Sequence, residues 1–390
     1  MGKAKVFSDV GAAIPIVKRN VLKKSSNINI KDLYIGKDLY FRLIIMRLFL
    51  SAIIALLFFI TAKGQTLEKI YSHSDNIYSP STFFVVGEDT ILTVELQNKE
   101  AVLSLIDLKN DRVISSQRAG RGPGELSTQG AKYISQIGRD SLLVWDEGLY
   151  RGMIYDKSLN YIGGLKSNDS AISTVVVLND SVAITKEIFS NKTVAKLQAL
   201  RKTQLTNHTY KFIATNDFKD IEKIESNPLL NQGPLIASGG KVYLGFYFST
   251  KILVFSSDFT TDTLATPVHL PLPTVPYKNG YAAPDQAKWP KATLSISADK
   301  NYIYTLFSGK IFDDGIFKQL SNLITRKAIN SIENSDNSNT VHLYDIKTNR
   351  FIRTIELPVQ AKRIFVHNNN LYTLSYEDDM YHIIKYKLDR

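Results

Sequence analysis

One unit recurs along this chain: an apolar strand, a turn of two to four residues drawn mostly from Gly, Asn, Asp and Lys, then a second apolar strand. The first three copies are 83–86 and 90–94 around Gly87, Glu88 and Asp89; 133–137 and 141–145 around Gly138, Arg139 and Asp140; and 175–178 and 181–184 around Asn179 and Asp180. Three more follow at 235–238 and 242–244, at 294–297 and 302–306, and at 364–366 and 371–374. β-Branched and aromatic runs closed by turn residues are the signal of a hairpin. Internal repetition at this spacing fixes the architecture before any other feature is considered.

Most copies are followed by a third strand ending in an acidic or small polar turn, and then a fourth. Examples are 103–107 before 112–114, 153–156 before 159–162, and 341–345 before 351–355, with a looser version at 252–255 before 261–264. Four antiparallel strands per repeat, arranged radially, are the blades of a β-propeller. The expected fold is therefore all-β: a six-bladed β-propeller of four-stranded antiparallel blades over residues 65–390. A β-sandwich does not account for six copies of one unit, and five or seven blades are the nearest alternatives. The last hairpin is followed by one further strand, 381–389, while 67–71 precede the first hairpin without a partner. Pairing those two segments would close the ring with the N-terminal strand of the mature chain and leave no exposed edge.

The chain carries a formal charge of +11, with 48 Lys and Arg against 37 Asp and Glu. The excess is concentrated near the start: residues 1–63 hold 11 basic and 3 acidic side chains, which leaves 37 against 34 for the rest. The folded part is close to neutral, so no nucleic-acid partner is expected. Residues 48–62 (LFLSAIIALLFFITA) are short for a spanning helix, which needs about 20 residues, and suit the apolar region of a secretory signal. Ala62 and Gly64 supply the small residues that a signal peptidase reads. The expectation is a signal peptide over 46–64 starting at Met46, with 1–45 an upstream extension; the rival reading is a retained anchor with its basic flank cytoplasmic. Either way the rest is exported, periplasmic or secreted, and meets a membrane only through the signal segment. The chain has no Cys, so no lipoprotein anchor, disulfide or thiol chemistry is expected.

In a propeller the loops joining strands two to three, and four to the next blade, share one face. All the long insertions read from the sequence fall there: 117–131, 186–202, 215–233, 265–290 and 307–339. Insertions gathered on one face mark the binding face of a repeat protein, although loops also grow wherever they do not interrupt strands. The first insertion contains Gly120-Arg121-Gly122-Pro123-Gly124-Glu125, in which alternate glycines and a proline would hold Arg121 and Glu125 in fixed directions. The simpler reading is a rigid bend between blades. It is no nucleotide loop, since no Gly-Lys-Ser/Thr ending follows.

With this GxGPGE element between its first two blades and a secretory start, the chain resembles the six-bladed propeller family, related to TolB and NHL-repeat proteins, that is abundant in Bacteroidetes. The resemblance covers 66–390 and implies an exported propeller and little more. Many members are lipoproteins, and this chain departs from them there.

On the same face the pattern places Trp145, Asp146 and Glu147, then Tyr247, then Tyr376, Glu377 and Asp378. Aromatic planes beside carboxylates suit a glycan or peptide; converging carboxylates suit Ca2+ instead, although no DxDxDG-type loop is present. The six histidines show no metal spacing and no GxSxG elbow occurs. The expected function is a ligand- or protein-binding scaffold, acting as a monomer without a required cofactor. The alternative is a propeller hydrolase or lyase acting on a sugar, lactone or small ester, with Ca2+ in support. Apolar positions 316, 317, 320, 323, 324, 329 and 332 lie close to a helical stripe, suited to packing across the rim.

Overall fold

A computed structural model describes residues 44–47, 49, 67–73, 77, 80–95, 98–166, 172–179, 182–188, 195–206, 209–215, 232–256, 260–270, 277–278, 281–282, 290–310 and 336–388. The chain divides into two compact units, Met1–Lys63 and Gly64–Arg390. In the first unit 44–47 and 49 are helical and exposed. The cleavage site and almost all of the apolar run 48–62 lie outside the described residues, as does the apolar stripe of 316–332. No helix among the described residues is long and apolar enough to cross a membrane.

The second unit is nearly all strand. It begins with β1 (Glu68–His73), followed by a four-stranded sheet of β2 (Pro80–Gly87), β3 (Thr90–Glu95), β4 (Leu103–Asp107) and β5 (Arg112–Gln117). Next come β6 (Lys132–Ile137), β7 (Ser141–Asp146), β8 (Arg151–Asp156) and β9 (Tyr161–Lys166), then β10 (Ile172–Asn179), β11 (Val182–Ile188), β12 (Ala195–Thr206) and β13 (Thr209–Thr215). β14 (Leu235–Ser238), β15 (Lys241–Phe246), β16 (Ser249–Phe255) and β17 (Thr261–Thr263) form another four-stranded sheet, and β18 (Tyr277–Lys278) with β19 (Tyr281–Ala282) a small ribbon. The chain finishes with β20 (Thr293–Ala298), β21 (Tyr302–Phe307), β22 (Ser338–Asp345), β23 (Phe351–His367), β24 (Asn370–Glu377) and β25 (Met380–Lys387).

Pairing within each group is antiparallel between consecutive strands. β9 and β13 touch through a single parallel bridge, Tyr210 with Leu165, which joins two groups into one eight-stranded sheet. β23 joins two more: 351–356 pair with β22, and 361–367 pair with β24. Between them stands Pro358, which has no N–H for a ladder. β1 pairs with β25, Glu68 opposite Lys387 and His73 opposite Ile383, so the segment that had no partner in its own neighbourhood lies on the last strand.

The tight turns follow from backbone sterics. Gly239 and Gly240, Asn368 and Asn369, and Asp378 and Asp379 all have positive φ, as two-residue hairpin loops matching the strand twist require. Two sequence expectations need correction. The insertion 186–202 is largely strand: β11 runs to Ile188, and β12 pairs with it from Ala195 to Arg201. The lysines and glutamines of 196–204 hid the pattern, because a polar run reads as loop where only its register with β11 and β13 makes it strand. The fourth strand sought at 159–162 begins at Tyr161, since Leu159, with φ of 65°, belongs to the preceding turn.

Side chains alternate across each strand, so every sheet has two apolar faces to cover. Among the described residues six apolar clusters do so, each drawn from neighbouring groups of strands. Leu92, Val94, Leu103 and Leu105 meet Leu142, Val144, Met153 and Tyr155. From the other face of β7, Leu143 and Trp145 meet Ile172, Val175 and Ala183. Val176 and Ile184 meet Leu235, Val242, Leu244 and Phe246; Tyr243, Ile252 and Val254 meet Ile296, Ile303 and Tyr344. Leu294, Leu306 and Val341 meet Ile364, Leu371 and Ile384. The sixth cluster joins the last strands to the first: Tyr372, Leu374, Tyr381 and Ile383 meet Phe83, Val85, Ile91 and Ile106. At about 1.5–3 kcal/mol per buried aliphatic or aromatic side chain, these contacts dominate what holds the sheets together.

Candidate functional site

Residues of six strands, β2, β6, β10, β14, β20 and β23, converge on one cavity of about 330 Å³. Its walls are Ser81, Thr82, Phe83 and Phe84 of β2, Lys132, Tyr133 and Ile134 of β6, Val176 of β10, Leu235 and Ile236 of β14, Leu294, Ser295 and Ile296 of β20, and Arg363, Ile364 and Phe365 of β23. Ala131, Gly233, Pro234 and Tyr247 complete the wall. Gly233 is held by close approach: a Cβ there would overlap the Gly245 carbonyl.

The polar groups at this cavity differ in how fully they are engaged. Lys132 is wholly buried and pairs with the equally buried Asp146 at 3.2 Å. Its Nζ also donates to Ser127 Oγ at 3.1 Å, to the Gln129 carbonyl at 2.7 Å and to the Gly130 carbonyl at 3.0 Å. Burial pushes the Lys132 amine below its usual range, and Asp146 pulls it back. Burial pushes the Tyr133 phenol up to about 12; the Thr174 hydroxyl beside it opposes that rise, and the charge of Arg363 opposes it too, while Tyr247 and Glu147 add to it. Tyr133 therefore keeps its proton at neutral pH and can donate a hydrogen bond. Arg363 Nη1 donates to the Lys362 carbonyl at 2.9 Å and the Leu294 carbonyl at 3.3 Å. Lys186 reaches the wall from behind, donating to the Gly233 carbonyl at 2.9 Å. Burial lowers its amine to about 8, against an opposing pull from Glu147.

The residues singled out from the sequence fall into three places. Tyr247 lies in the β15–β16 turn and lines the cavity. Glu147 is close enough for its charge to act on Tyr133 and Lys186, while its Oε2 accepts the Ala131 amide at 3.0 Å. Trp145 and Asp146 close strand β7, which runs one residue beyond the expected strand 141–145. Trp145 is fully buried in an apolar cluster, and its indole Nε1 has no hydrogen-bond partner among the described residues. Asp146 accepts the Ser127 amide at 2.6 Å, the Ser127 hydroxyl at 2.7 Å and the Leu149 amide at 3.2 Å besides the Lys132 ammonium. Its oxygens are therefore taken up by the turn around them.

Arg121 and Glu125 belong to a bend held by its own Arg118–Glu125 contact and by side chains of β8. Glu125 Oε2 accepts the Gly122 amide at 2.8 Å and Oε1 accepts Arg118 Nε at 3.0 Å; the Gly122 amide and then Arg118 hold its carboxyl below the usual range. Arg151 donates to the carbonyls of Arg121, Gly122 and Glu125 at 2.8, 3.0 and 2.8 Å, and the Tyr155 hydroxyl donates to that of Gly124 at 2.9 Å. Gly124 has φ of 75° and packs on Tyr161, a position where a side chain would be strained. The Arg121 side chain itself is exposed.

The third place is the β24–β25 hairpin. Lys362 Nζ stands 5.1 Å from the Tyr376 ring centroid and 4.9 Å from that of Tyr381. Glu377 and Asp378 are exposed, Glu377 ending β24 and Asp378 in the following turn. Among the described residues no three His, Asp or Glu side chains gather as a metal site would require. The carboxylates offered for Ca2+ do not converge: Asp146 is saturated, Glu147 holds an amide, and Glu377 and Asp378 stand on a separate hairpin.

Sequence reasoning passed over Lys132, Tyr133, Lys186 and Arg363. Their common signal is a polar residue at the end of an otherwise apolar inner strand, as in Lys362-Arg363-Ile364-Phe365-Val366.

No family model matches the chain, and no curated protein is similar to it. Solved structures that are similar include a protein of unknown function from Bacteroides thetaiotaomicron, at 14% identity over 82% of this chain and 72% of that one, with a TM-score of 0.47. Others are the Cps50 (Swd1) β-propeller domain from Myceliophteria thermophila, at 10% identity over 82% of this chain and 100% of that one, TM-score 0.42, and the Pan2 WD40 domain from Neurospora crassa, at 7% identity over 79% and 78%, TM-score 0.45. At these scores the likenesses add nothing to what the antiparallel sheets themselves display.

Proposed function

We propose that residues 65–390 form an exported six-bladed β-propeller of the TolB- and NHL-related kind, and that it works as a binding module. Its ligand, a small molecule, a glycan or a segment of a protein partner, sits at the mouth of the central cavity on the side of the long loops. The six clusters, each shared by successive sheets and the last linking β25 and β24 back to β2 and β3, support a closed ring. The pairing of β1 with β25 supports closure by the N-terminal strand. Export is carried by the apolar run of 48–62 and the small residues after it.

The observation behind the binding reading is the cavity itself, apolar in most of its wall with a few polar groups directed from separate strands, which is how ligand pockets are built. The full chain is to be screened by thermal shift against small organic acids, sugars and short peptides. The expected result is a stabilising ligand whose effect disappears in Tyr247→Ala while the unfolding midpoint of the free variant stays near that of the parent. A ligand that binds Tyr247→Ala as well as the parent, or no stabilising ligand at all, refutes the reading. The mass of the exported chain tests its N-terminus: a polypeptide beginning after Gly64 is expected, and one retaining 46–64 overturns cleavage.

A further inference from the structure

We propose that the ligand of this cavity is an organic oxyanion: a carboxylate or phosphate carried on an apolar body and received by Arg363. The proposal rests on the cavity being the binding site and adds the chemistry of what it takes. Arg363 lines the cavity, yet among the described residues it forms no ion pair, and its only hydrogen bonds run from Nη1 to two backbone carbonyls. Lys132, Lys291 and Lys385 all meet carboxylates: Asp146, Asp336, and Glu88 with Asp89. A partly buried cation without a counter-charge is costly, and a bound anion removes that cost.

The geometry suits an oxyanion in particular. A guanidinium is a planar fork of donors that matches a carboxylate or phosphate edge, and here Nε and Nη2 bond to no described residue. Tyr133 and Tyr247 bring two phenols to the same wall, and the charge of Arg363 acts on Tyr133. Lys186, also without an ion pair among the described residues, adds positive charge behind Gly233. Glu147 is the opposing charge, but its Oε2 is held by the Ala131 amide. The lining shared with Arg363 includes Phe84, Phe365, Leu294 and Ile296, with Ser295 the polar exception, which suits an apolar portion on the ligand.

Calorimetry on the full chain at fixed ionic strength, with phenylacetate, phenyl phosphate, 2-phenylethanol and 2-phenylethylamine as probes, tests this. Phenylacetate or phenyl phosphate, or both, is expected to bind at least tenfold more tightly than the alcohol, with the amine weaker still. Which of the two acids binds identifies the group. Arg363→Ala is expected to lose that tenfold preference and keep its affinity for the alcohol; Arg363→Gln, which retains most of the side-chain volume, is the second variant should the first fail to fold. Equal binding of alcohol and acids, or an acid preference that survives in the variants, overturns the anion proposal and leaves the cavity as a binding site. Binding of none of the four overturns the anion proposal. The cavity reading stands or falls separately, on the Tyr247→Ala comparison.

Discussion

The turn region of residues 118–151 and the cavity wall around Arg363 are made of the same kinds of side chain and use them in opposite ways. In the turn region the buried charges are met from within: Lys132 meets Asp146 and three further oxygens, Asp146 accepts two amides and a hydroxyl as well, and Arg151 threads three carbonyls of the GxGPGE bend. At the wall a guanidinium, two phenols and a buried amine stand with donors to spare. The contrast teaches that a cluster of polar residues is read by what remains unengaged. Saturation marks a group that shapes the chain; a donor with capacity to spare at a cavity wall is one that a ligand could still engage.

The sharpest way to break this comparison is Lys132→Met, which leaves Asp146 buried without its partner. Denaturant unfolding is expected to show a loss of about 3–5 kcal/mol; a change under about 1 kcal/mol would mean that the hub is not structural. Lys186 should behave oppositely. Its amine titrates near 8 in the fold against an ordinary 10.5, so between those values the unfolded chain binds more protons and stability rises with pH. Below about pH 8 the whole penalty, on the order of 3 kcal/mol, is present. Lys186→Met is therefore expected to unfold at higher denaturant than the parent at pH 7, with the gap narrowing toward pH 10; a gap independent of pH would refute the buried, charged amine. The smallest contrast lies within the bend. Arg151→Ala should cost about 2 kcal/mol through its lost carbonyl bonds, whereas Arg121→Ala, whose side chain is exposed, should stay within about 0.5 kcal/mol. Chemical denaturation of the pair decides between a bend held by its neighbours and one held by its own arginine.

The hairpins were legible because their signal is local. The runs at 83–86, 133–137 and 364–366 need only β-branched or aromatic residues and a turn that tolerates positive φ, and all are paired with the strands that follow them. Strand β12, between β11 and β13, was not legible. Its lysines and glutamines read as loop, and what makes them strand is the register with β11. Trp145, Asp146 and Glu147 show the same division at a finer grain. Adjacent in sequence, they point to an apolar cluster, a buried ion pair and the neighbourhood of the cavity, because alternation along a strand end sends successive side chains to different surroundings.

Residue order alone settled that the chain from Leu67 onward is built of repeated antiparallel strands, that its positive charge belongs to the opening segment, and that thiol chemistry is absent. These follow from period, composition and count, which no folding step alters. Which charges are neutralised and which are left over was decided only by the tertiary structure. Arg363, Tyr133 and Tyr247 are separated by more than a hundred residues along the chain, and whether a donor finds a partner depends on what the other sheets bring to the same few ångströms.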